Sequence, residues 1–384
     1  MLQAPPVAVA LSLKGKSAPL RRNSEQASMA DPQISQAEAG AQAASQIAAT
    51  RHAARLSVAP MMDWTDRNCR LFHREISRQT LLYTEMVTAP AVINGKREML
   101  LDYHEAEHPV ALQLGGSDPK ELSQAVRIAG DWGYDEINLN CGCPSDRVQS
   151  GAFGAVLMKT PELVADCVAE MIAQARVEVT VKCRIGVDEQ EPQEVLPRFL
   201  EAVRAAGVSR VTIHARKAWL QGLSPRDNRE IPPLDYDLVH QMKREFPDMH
   251  LSLNGGVGTL EQAKALLEQG LDGVMIGRAA YHEPYNILGA ADALYPQADG
   301  GDFTPRDPFE IAEVMRGHIA DHLARGGKMH HFTRHMLGLF HGRPNARQWK
   351  RVLSERASSG ELADYDAALE AVRAGKLAAE AAEA

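Results

Sequence analysis

The chain has 384 residues, of which 45% are hydrophobic and 24% charged, and its formal net charge is −8. These values are typical of a soluble globular protein with two domains, or with one large barrel and an appendage. They exclude collagen-like, coiled-coil and wholly disordered chains. The acidic total also argues against a nucleic-acid partner, which usually presents a basic surface.

The first fifty residues predict an unstructured tail. Residues 32–50 are rich in Ala, Ser and Gln and show no sustained apolar period. No apolar run approaches the ~18 residues needed to cross a bilayer. The five cysteines are an odd number, which is not typical of a secreted disulfide framework. We therefore expect a cytoplasmic monomer with no membrane partner and no metal.

From Leu56 onward, short apolar segments alternate with amphipathic ones, as in a parallel α/β fold. Eight segments are predicted strands: residues 56–61, 81–86, 109–116, 136–142, 179–186, 210–216, 250–257 and 273–278. Predicted helices between them include residues 120–132, 162–175, 193–206, 234–245 and 260–269. Gly207 and Gly270 mark two helix ends. Eight units favour a closed (β/α)8 TIM barrel over residues 51–300, with an open doubly wound sheet as the alternative.

After Pro305 the pattern changes to helices without strands. Residues 308–325, 330–340 and 346–355 predict a C-terminal helical bundle domain over residues 301–360, followed by an Ala/Glu-rich tail over residues 361–384 that is either helical or frayed. Residues 306–356 contain ten basic and five acidic side chains, whereas residues 57–305 contain 24 basic and 36 acidic ones. The basic run is either a solvated helix face or, beside a barrel mouth, a clamp for a phosphate backbone.

The polar residues that follow the last two predicted strands are typical of a phosphate site. Asn254, Gly255 and Gly256 follow the seventh strand, and Gly277 and Arg278 follow the eighth. Glycines let backbone N–H groups approach phosphate closely, and these two loops commonly bind it in barrels. The alternative is that the glycines form tight turns without a ligand.

Three further strand residues carry polar groups toward the same face. Lys182 interrupts an apolar strand, where a cation is costly unless it meets an anion; a Schiff base, a phosphate or an electron-rich flavin edge would suit it. Gln113 has the amide donor and acceptor that suit a flavin's pyrimidine edge. His214 is either a phosphate or ring donor, or a hydrogen-bonded core residue.

The segment Asn-Leu-Asn-Cys-Gly-Cys-Pro at 138–144 presents one thiol on a fixed turn. Gly142 and Pro144 flank Cys143, and no second Cys/His pair with metal-ligand spacing accompanies Cys141 and Cys143. A thiol with an ordinary pKa near 8.5 is mostly protonated at neutral pH, so it can act as a general acid as well as a nucleophile. Cys141 and the remaining three cysteines are interpreted as structural residues.

Nine segments of the chain together resemble the flavin-dependent tRNA-dihydrouridine synthases. They are VAPMMDWTD (58–66), YTEMV (83–87), ALQLGG (111–116), INLNCGCPSDRV (137–148), GAFGAVLM (151–158), VKCRIG (181–186), HAR (214–216), NGGV (254–257) and GR (277–278). Residues 214–236 resemble the A-type subgroup, which acts on D-loop positions 20 and 20a. The resemblance covers about residues 55–355.

The resemblance implies a reaction and its residues. NADPH reduces bound FMN, the reduced flavin delivers hydride from N5 to C6 of a tRNA uridine, and Cys143 protonates C5. The implied FMN contacts are Pro60, Met61, Met62, Gln113, Lys182 and His214, with phosphate at Asn254, Gly255, Gly256, Gly277 and Arg278. The implied tRNA contacts are Asn140, Arg226, Arg229, Arg347 and Lys350. The family often has Arg where this chain has Lys350, which puts a bidentate phosphate contact there in question.

Two other functions fit part of the same pattern. An FMN barrel acting on a free pyrimidine explains the strand-end residues, but it does not explain the basic helices. The second is a catalytically idle RNA-binding protein on a barrel scaffold, which the absence of flavin absorbance in purified protein would favour.

Overall fold

The computed structural model describes residues 36–145, 152–296, 303–356 and 360–383. The strands are β1 Leu56–Val58, β2 Leu81–Thr88, β3 Val110–Gly115, β4 Glu136–Cys141, β5 Glu178–Arg184, β6 Arg210–His214, β7 His250–Asn254 and β8 Gly273–Ile276. The helices up to β5 are α1 Gln36–Ala53, α2 Arg67–Ile76, α3 Ala89–Asn94, α4 Arg97–Leu101, α5 Pro119–Ala129 and α6 Pro161–Gln174. The remaining helices are α7 Pro192–Ala205, α8 Tyr236–Glu245, α9 Leu260–Glu268, α10 Arg278–His282, α11 Pro284–Leu288, α12 Pro308–Ala324, α13 His330–Met336, α14 Ala346–Glu355 and α15 Leu362–Glu383.

The eight strands form a closed parallel barrel in chain order. Closure is made by β1 and β8, which pair in parallel over three residues beginning with Leu56 opposite Val274. The predicted (β/α)8 barrel with C-terminal helices is therefore confirmed, and the open doubly wound sheet is wrong. Each strand is buried along most of its length, because helices cover the outside and side chains fill the inside.

Local sequence signals explain where the barrel helices begin and end. Asp118 caps α5 by accepting the backbone N–H groups of Lys120 and Glu121, and Pro119 occupies the first helical position. Gly207 and Gly270 have φ values of +100° and +98° just after α7 and α9. Side chains other than glycine rarely adopt this backbone conformation, so both predicted helix ends are confirmed.

A buried ionic cluster fills the amino-terminal end of the barrel, opposite the predicted site. Arg210 of β6 donates to Glu136 and, over 3.0 Å, to Glu178. Tyr83 donates to Glu136 over 2.7 Å. Arg51 of α1 donates to Glu178 over 2.8 Å, which ties the helix before the barrel to its lower rim. The charged groups at this end pair with one another, so they stabilise the fold and are not available to a ligand.

The predicted unstructured tail over residues 1–50 needs correction where it overlaps α1, which begins at Gln36; residues 1–35 lie outside the described residues. Among the described residues, those from 42 onward form one compact unit, to which residues 36–41 do not belong. Within this unit, Gln46 donates to Asp135 over 2.6 Å, and Thr50 and Ala53 are buried. The apolar period misses this segment because side-chain hydrogen bonds and small residues, rather than an apolar stripe, attach it to the barrel.

The C-terminal helices pack on each other and on α2. Of the two states expected for residues 361–384, helical or frayed, the structure has the helical one: α15 runs as far as Glu383, and its side chains Tyr365, Leu369 and Val372 are buried. These side chains give the Ala/Glu-rich segment an apolar face that packs in the helical bundle. Helix α13 ends at Met336, four residues before its predicted end. In the described ranges, no helix has the length and apolar character required to cross a membrane.

Candidate active site

Parallel register brings the predicted strand-end residues to one end of the barrel. Asn140 of β4 lies opposite Lys182 of β5, and His214 of β6 lies opposite Asn254 of β7. Arg184 lies opposite His214. The fold therefore places the turn with Cys143, Lys182 and the two glycines after β7 around one mouth of the barrel.

The turn that carries Cys143 is shaped by the side chain of Asn140. The Asn140 Oδ1 atom accepts the backbone N–H groups of Gly142 and Cys143 over 3.1 and 3.0 Å. Cys143 is half-buried, and its Sγ atom lies 3.4 Å from Ser145 Oγ. Asn140, which was predicted to contact tRNA, thus also fixes the direction of the thiol.

The other four cysteines are buried, which matches their structural interpretation. They are Cys69, Cys141, Cys167 and Cys183. Burial raises the pKa of the Cys167 and Cys183 thiols to about 12, so both stay protonated. Among the described residues, no three His, Cys, Asp or Glu side chains are grouped as metal ligands would be.

Arg184 joins the Cys143 turn to the loop after β6, residues 215–235, called here the β6 loop. Arg184 is buried and donates to the carbonyl of Gly142 over 3.1 Å. It also donates to the carbonyls of Lys217 and Asn228 over 3.3 and 2.9 Å. Burial lowers its pKa to about 10. The sequence placed Arg184 at a strand end but gave no sign of this bridging contact, because its partners are carbonyl groups.

A chain of side-chain hydrogen bonds holds Gln113 in place. Asn140 donates to Gln113 over 2.7 Å, Gln113 donates to Asn138 over 2.8 Å, and Asn138 donates to Thr180 over 2.8 Å. Among the described residues, each end of the Gln113 amide has one hydrogen-bonding position without a partner. The amide can therefore still bind a ligand, in an orientation that the two asparagines determine. The sequence places Asn138 among the polar strand-end residues but assigns it no task, because its role depends on side chains of two other strands.

The mouth carries an excess of positive charge. Burial, followed by the charge of Arg184, lowers the pKa of Lys182 to about 8. Burial together with the charges of Arg184 and Lys182 holds the pKa of His214 well below its usual range. Within the described part of the chain, Lys182 makes no ion pair. This environment is suited to an anionic or electron-rich ligand.

The glycine turn after β7 lies directly against the ring of His214. Gly255 and Gly256 have φ values of +106° and +75°, and Tyr236 donates to the carbonyl of Gly255 over 2.6 Å. A Cβ atom on Gly255 would lie 3.0 Å from the His214 ring. The His214 Nδ1 atom is buried and has no hydrogen-bond partner among the described residues. Asn254 is instead committed to structure, since its Nδ2 group donates to the carbonyl of Met275 over 2.8 Å.

The loop after β1, residues 59–65, called here the β1 loop, borders the second predicted phosphate segment. A Cβ atom on Gly277 would lie 3.6 Å from Met61 Sδ. Trp64 stacks on Tyr281 of α10 with ring centroids 4.4 Å apart. Pro60, Met61 and Met62 are partly or largely exposed at this position. The β1 loop and the segment after β8 therefore form one wall of the mouth.

The predicted arginines of the β6 loop and of α10 form an exposed group. Arg278 pairs with Glu230 and donates to the carbonyl of Arg229 over 3.3 Å. Arg226 is 78% exposed and lies 3.5 Å from the same glutamate. Glu230 thus offsets part of the positive charge that Arg278 was predicted to offer to a phosphate, while Arg229 remains outside this pairing in the described residues.

Arg347 and Lys350 are exposed on α14 of the helical bundle. They line a shallow depression together with His341 and Arg343. In the described ranges neither Arg347 nor Lys350 forms an ion pair. Two unpaired cations beside a third one are suited to an extended anionic surface rather than to a buried ligand.

A model of the family described as dihydrouridine synthase matches residues 57–375. The tRNA-dihydrouridine(20/20a) synthase of Vibrio parahaemolyticus serotype O3:K6 is 55% identical over 307 residues, which span 80% of this chain and 92% of that relative. The enzyme of the same name from Xanthomonas axonopodis pv. citri is 54% identical over 79% of this chain and 89% of the relative. That of Escherichia coli strain K12 is 56% identical over 79% and 86%. These matches confirm the resemblance found in the motifs.

Proposed function

The chain belongs to the dihydrouridine synthase family, and from this premise we propose that it reduces the C5=C6 bond of uridine in tRNA. The relatives' names point to D-loop positions 20 and 20a as the targets. FMN as the bound flavin, NADPH as the reductant and a cytoplasmic, monomeric enzyme are the finer parts of the proposal.

The residues at the barrel mouth fit FMN. Buried His214, whose Nδ1 atom has no hydrogen-bond partner among the described residues, and the positive-φ glycines beside it suit the phosphate end. The positions of Gln113 that have no partner within the described ranges suit the pyrimidine edge, and Lys182, which pairs with no carboxylate in those ranges, suits the electron-rich side of the ring. When bound, the flavin supplies hydride, which it obtains from NADPH, to C6 of uracil.

The chain's own residues then supply orientation and a proton. The Asn140 side chain and the Arg184 guanidinium hold the Cys143 turn from two sides. We assign to Cys143 the transfer of its Sγ proton to C5 of uracil. The assignment follows from its position, since it is the half-buried thiol of the five and lies in the mouth. Fixing the thiol before the base arrives reduces the entropic cost of the reaction.

The exposed cations bind the RNA that surrounds the target uridine. Arg226 and Arg229 lie on the β6 loop, and Arg347 and Lys350 lie on the helical bundle. We assign all four, with Asn140 at the turn, to tRNA contact. The uridine must leave its stack to reach the mouth, and phosphate contacts on both sides offset that cost.

The single observation that carries the proposal is the pairing of a fixed, half-buried thiol with a cationic barrel mouth in this family's fold. The test is to incubate the FMN-loaded protein and NADPH with tRNA that lacks dihydrouridine. We expect dihydrouridine at positions 20 and 20a when the product is mapped by mass spectrometry. Product at other positions would overturn the site assignment, and equal turnover of free uridine would favour a free-pyrimidine enzyme.

A further inference from the structure

Strand β2 carries a bulge beside the predicted flavin residues. Where the register shifts, Thr84 and Glu85 lie opposite the single residue Leu112 of β3. The Thr84 Oγ1 atom accepts the backbone N–H of Gln113 over 3.0 Å and donates to the Glu85 carbonyl over 2.7 Å. Side-chain hydrogen bonds thus fix the bulge, and a bulge next to a site redirects a side chain.

The redirected side chain is that of Glu85, and it reaches the β1 loop. Its Oε1 atom accepts the backbone N–H of Asp63 over 2.5 Å. Asp63 has a φ value of +64°, a left-handed conformation that is uncommon for residues other than glycine, although aspartate adopts it more readily than most. In the described part of the chain, this bond is the only hydrogen bond that the Glu85 carboxylate accepts. The contact therefore fixes the residue at which the β1 loop adopts a positive φ.

The position of the β1 loop determines where several residues of the mouth lie. It carries Pro60, Met61 and Met62 into the wall of the mouth, and its Trp64 stacks on Tyr281 of α10. A loop that relaxed at Asp63 would move both the residues predicted to contact the ring and the helix that follows the predicted phosphate segment.

The surroundings of Glu85 disfavour the charged form of its side chain. Partial burial raises the pKa of Glu85; the Asp63 N–H lowers it, the carboxylates of Asp66 and Asp63 raise it, and Arg70 lowers it. Neither nearby arginine pairs with Glu85, since Arg70 is 2.6 Å from Glu107 and Arg334 is 2.6 Å from Asp66. The charged or titratable groups facing it are Asp63, Asp66, Cys69, Arg70 and Arg334. Because these surroundings disfavour the charged form of Glu85, this side chain is better explained by a role in the site than by a contribution to the stability of the fold.

We propose that Glu85 is a positioning residue that holds the β1 loop, through the Asp63 amide, in the conformation that binds the flavin. The inference rests on the proposed function, because it assumes a flavin in the barrel mouth. Glu85 acts through the loop and touches neither the substrate nor the thiol.

The test compares Glu85→Ala with Glu85→Gln in FMN affinity, measured by quenching of flavin fluorescence on titration of the apoprotein. At pH 8 we expect Glu85→Ala to bind FMN about tenfold more weakly, as expected for loss of a hydrogen bond to a charged acceptor. Glu85→Gln keeps the acceptor without its charge and should recover part of that loss. Glu170→Ala, an exposed glutamate on α6, is the matched control and should bind like the wild type.

The pH profile separates positioning from general loosening of the fold. As pH falls toward the raised pKa of Glu85, the carboxylate gains a proton and becomes a weaker acceptor, so wild-type affinity should fall to that of Glu85→Gln. The Glu85→Gln profile should lack this step. Equal affinities of all variants at pH 8, or the same acid step in Glu85→Gln, would overturn the inference. A wild-type protein that binds no FMN would instead overturn the proposed function.

Discussion

At the scale of single residues, Cys143 carries the sharpest expectation. Replacing it with Ala removes the proposed proton donor but leaves its backbone hydrogen bond to Asn140. We expect Cys143→Ala to bind FMN normally and to lose roughly 10²–10⁴-fold in turnover on tRNA, the usual contribution of a general acid. Flavin absorbance and single-turnover dihydrouridine formation are the measurements.

The neighbouring hydroxyl offers a control for this experiment. Ser145 Oγ lies 3.4 Å from the thiol, so Ser145→Ala changes the same turn without removing the proton donor. That variant should retain most of its turnover. If Cys143→Ala did the same, the thiol would not be the acid.

Lys182 leads to a prediction about stability as well as binding. Burial and Arg184 lower its pKa to about 8, so at pH 7 the folded apoprotein carries an unpaired cation that the unfolded chain would solvate. We expect Lys182→Met to raise the melting temperature of the apoprotein at pH 7 and to weaken FMN binding. Thermal unfolding with and without FMN measures both effects.

The sign of the pH dependence follows from the lowered pKa. Below about pH 8 the lysine is protonated in both the folded and the unfolded protein, so the folded protein is destabilised by the full cost of burying the charge. As the pH rises above 8, the folded form loses its proton first, so the stability difference between the variant and the wild type should shrink. A difference that grew with pH would contradict this account.

At the scale of elements, the glycine turn after β7 allows a matched comparison. A Cβ atom on Gly256 would lie 2.4 Å from Leu234 Cδ1, whereas a Cβ atom on Gly222 of the β6 loop would meet nothing within 4 Å. Both glycines have a positive φ, of +75° and +80°. Gly256→Ala should therefore lower FMN affinity, because the Cβ would displace the end of the Leu234 side chain and the Tyr236 hydroxyl that holds the Gly255 carbonyl, in addition to the strained φ.

Gly222→Ala bears only the backbone strain, so it should lower stability by about 1 kcal/mol and leave FMN affinity unchanged. Isothermal titration with FMN and thermal unfolding distinguish the two variants. Equal loss of FMN affinity in both would mean that the strain, rather than the position of the turn, is responsible.

Elements with a strong local pattern were predictable, and elements held by distant contacts were not. The strands of the barrel could be read from apolar runs because helices cover the outside of each one. Helix α1 was missed because Gln46 and Arg51 attach it through hydrogen bonds to residues far along the chain. The β2 bulge at Glu85 was equally invisible, since a register shift leaves no mark in a single strand's sequence.

The same distinction holds for the candidate site. Lys182 and Cys143 could be singled out because a lysine in an apolar strand and a thiol between Gly and Pro are locally unusual. Arg184 could not be assigned its task, because its hydrogen-bond partners are carbonyls that only the folded β6 loop brings near. Sequence thus located the reactive groups, while their supports emerged from the fold.

At the scale of the whole molecule, the net charge of −8 conceals two surfaces of opposite character. The basic excess lies in residues 306–356, and α2 joins these helices to the acidic barrel. Arg334 pairs with Asp66 over 2.6 Å, and Arg306 pairs with Glu75 over 2.9 Å. These ion pairs use helical-bundle cations for attachment, so the cations left unpaired are the ones available for RNA.

Arg347 and Lys350 are the unpaired cations that best test this division of tasks. The double variant Arg347→Ala/Lys350→Ala removes two proposed phosphate contacts, so the plot of log affinity for tRNA against log salt should become less steep by about 2. FMN affinity should stay at the wild-type value. Filter binding at several salt concentrations, with fluorescence titration of FMN, measures both quantities.

The helical bundle also provides a pair of the same composition for control. Arg325 and Lys328 are exposed beyond the end of α12, so Arg325→Ala/Lys328→Ala changes the net charge by the same amount at another position. A general effect of charge would flatten both salt plots equally and would rule out a defined contact at α14. A specific contact flattens only the Arg347/Lys350 plot, because counterions are released only where phosphates replace them.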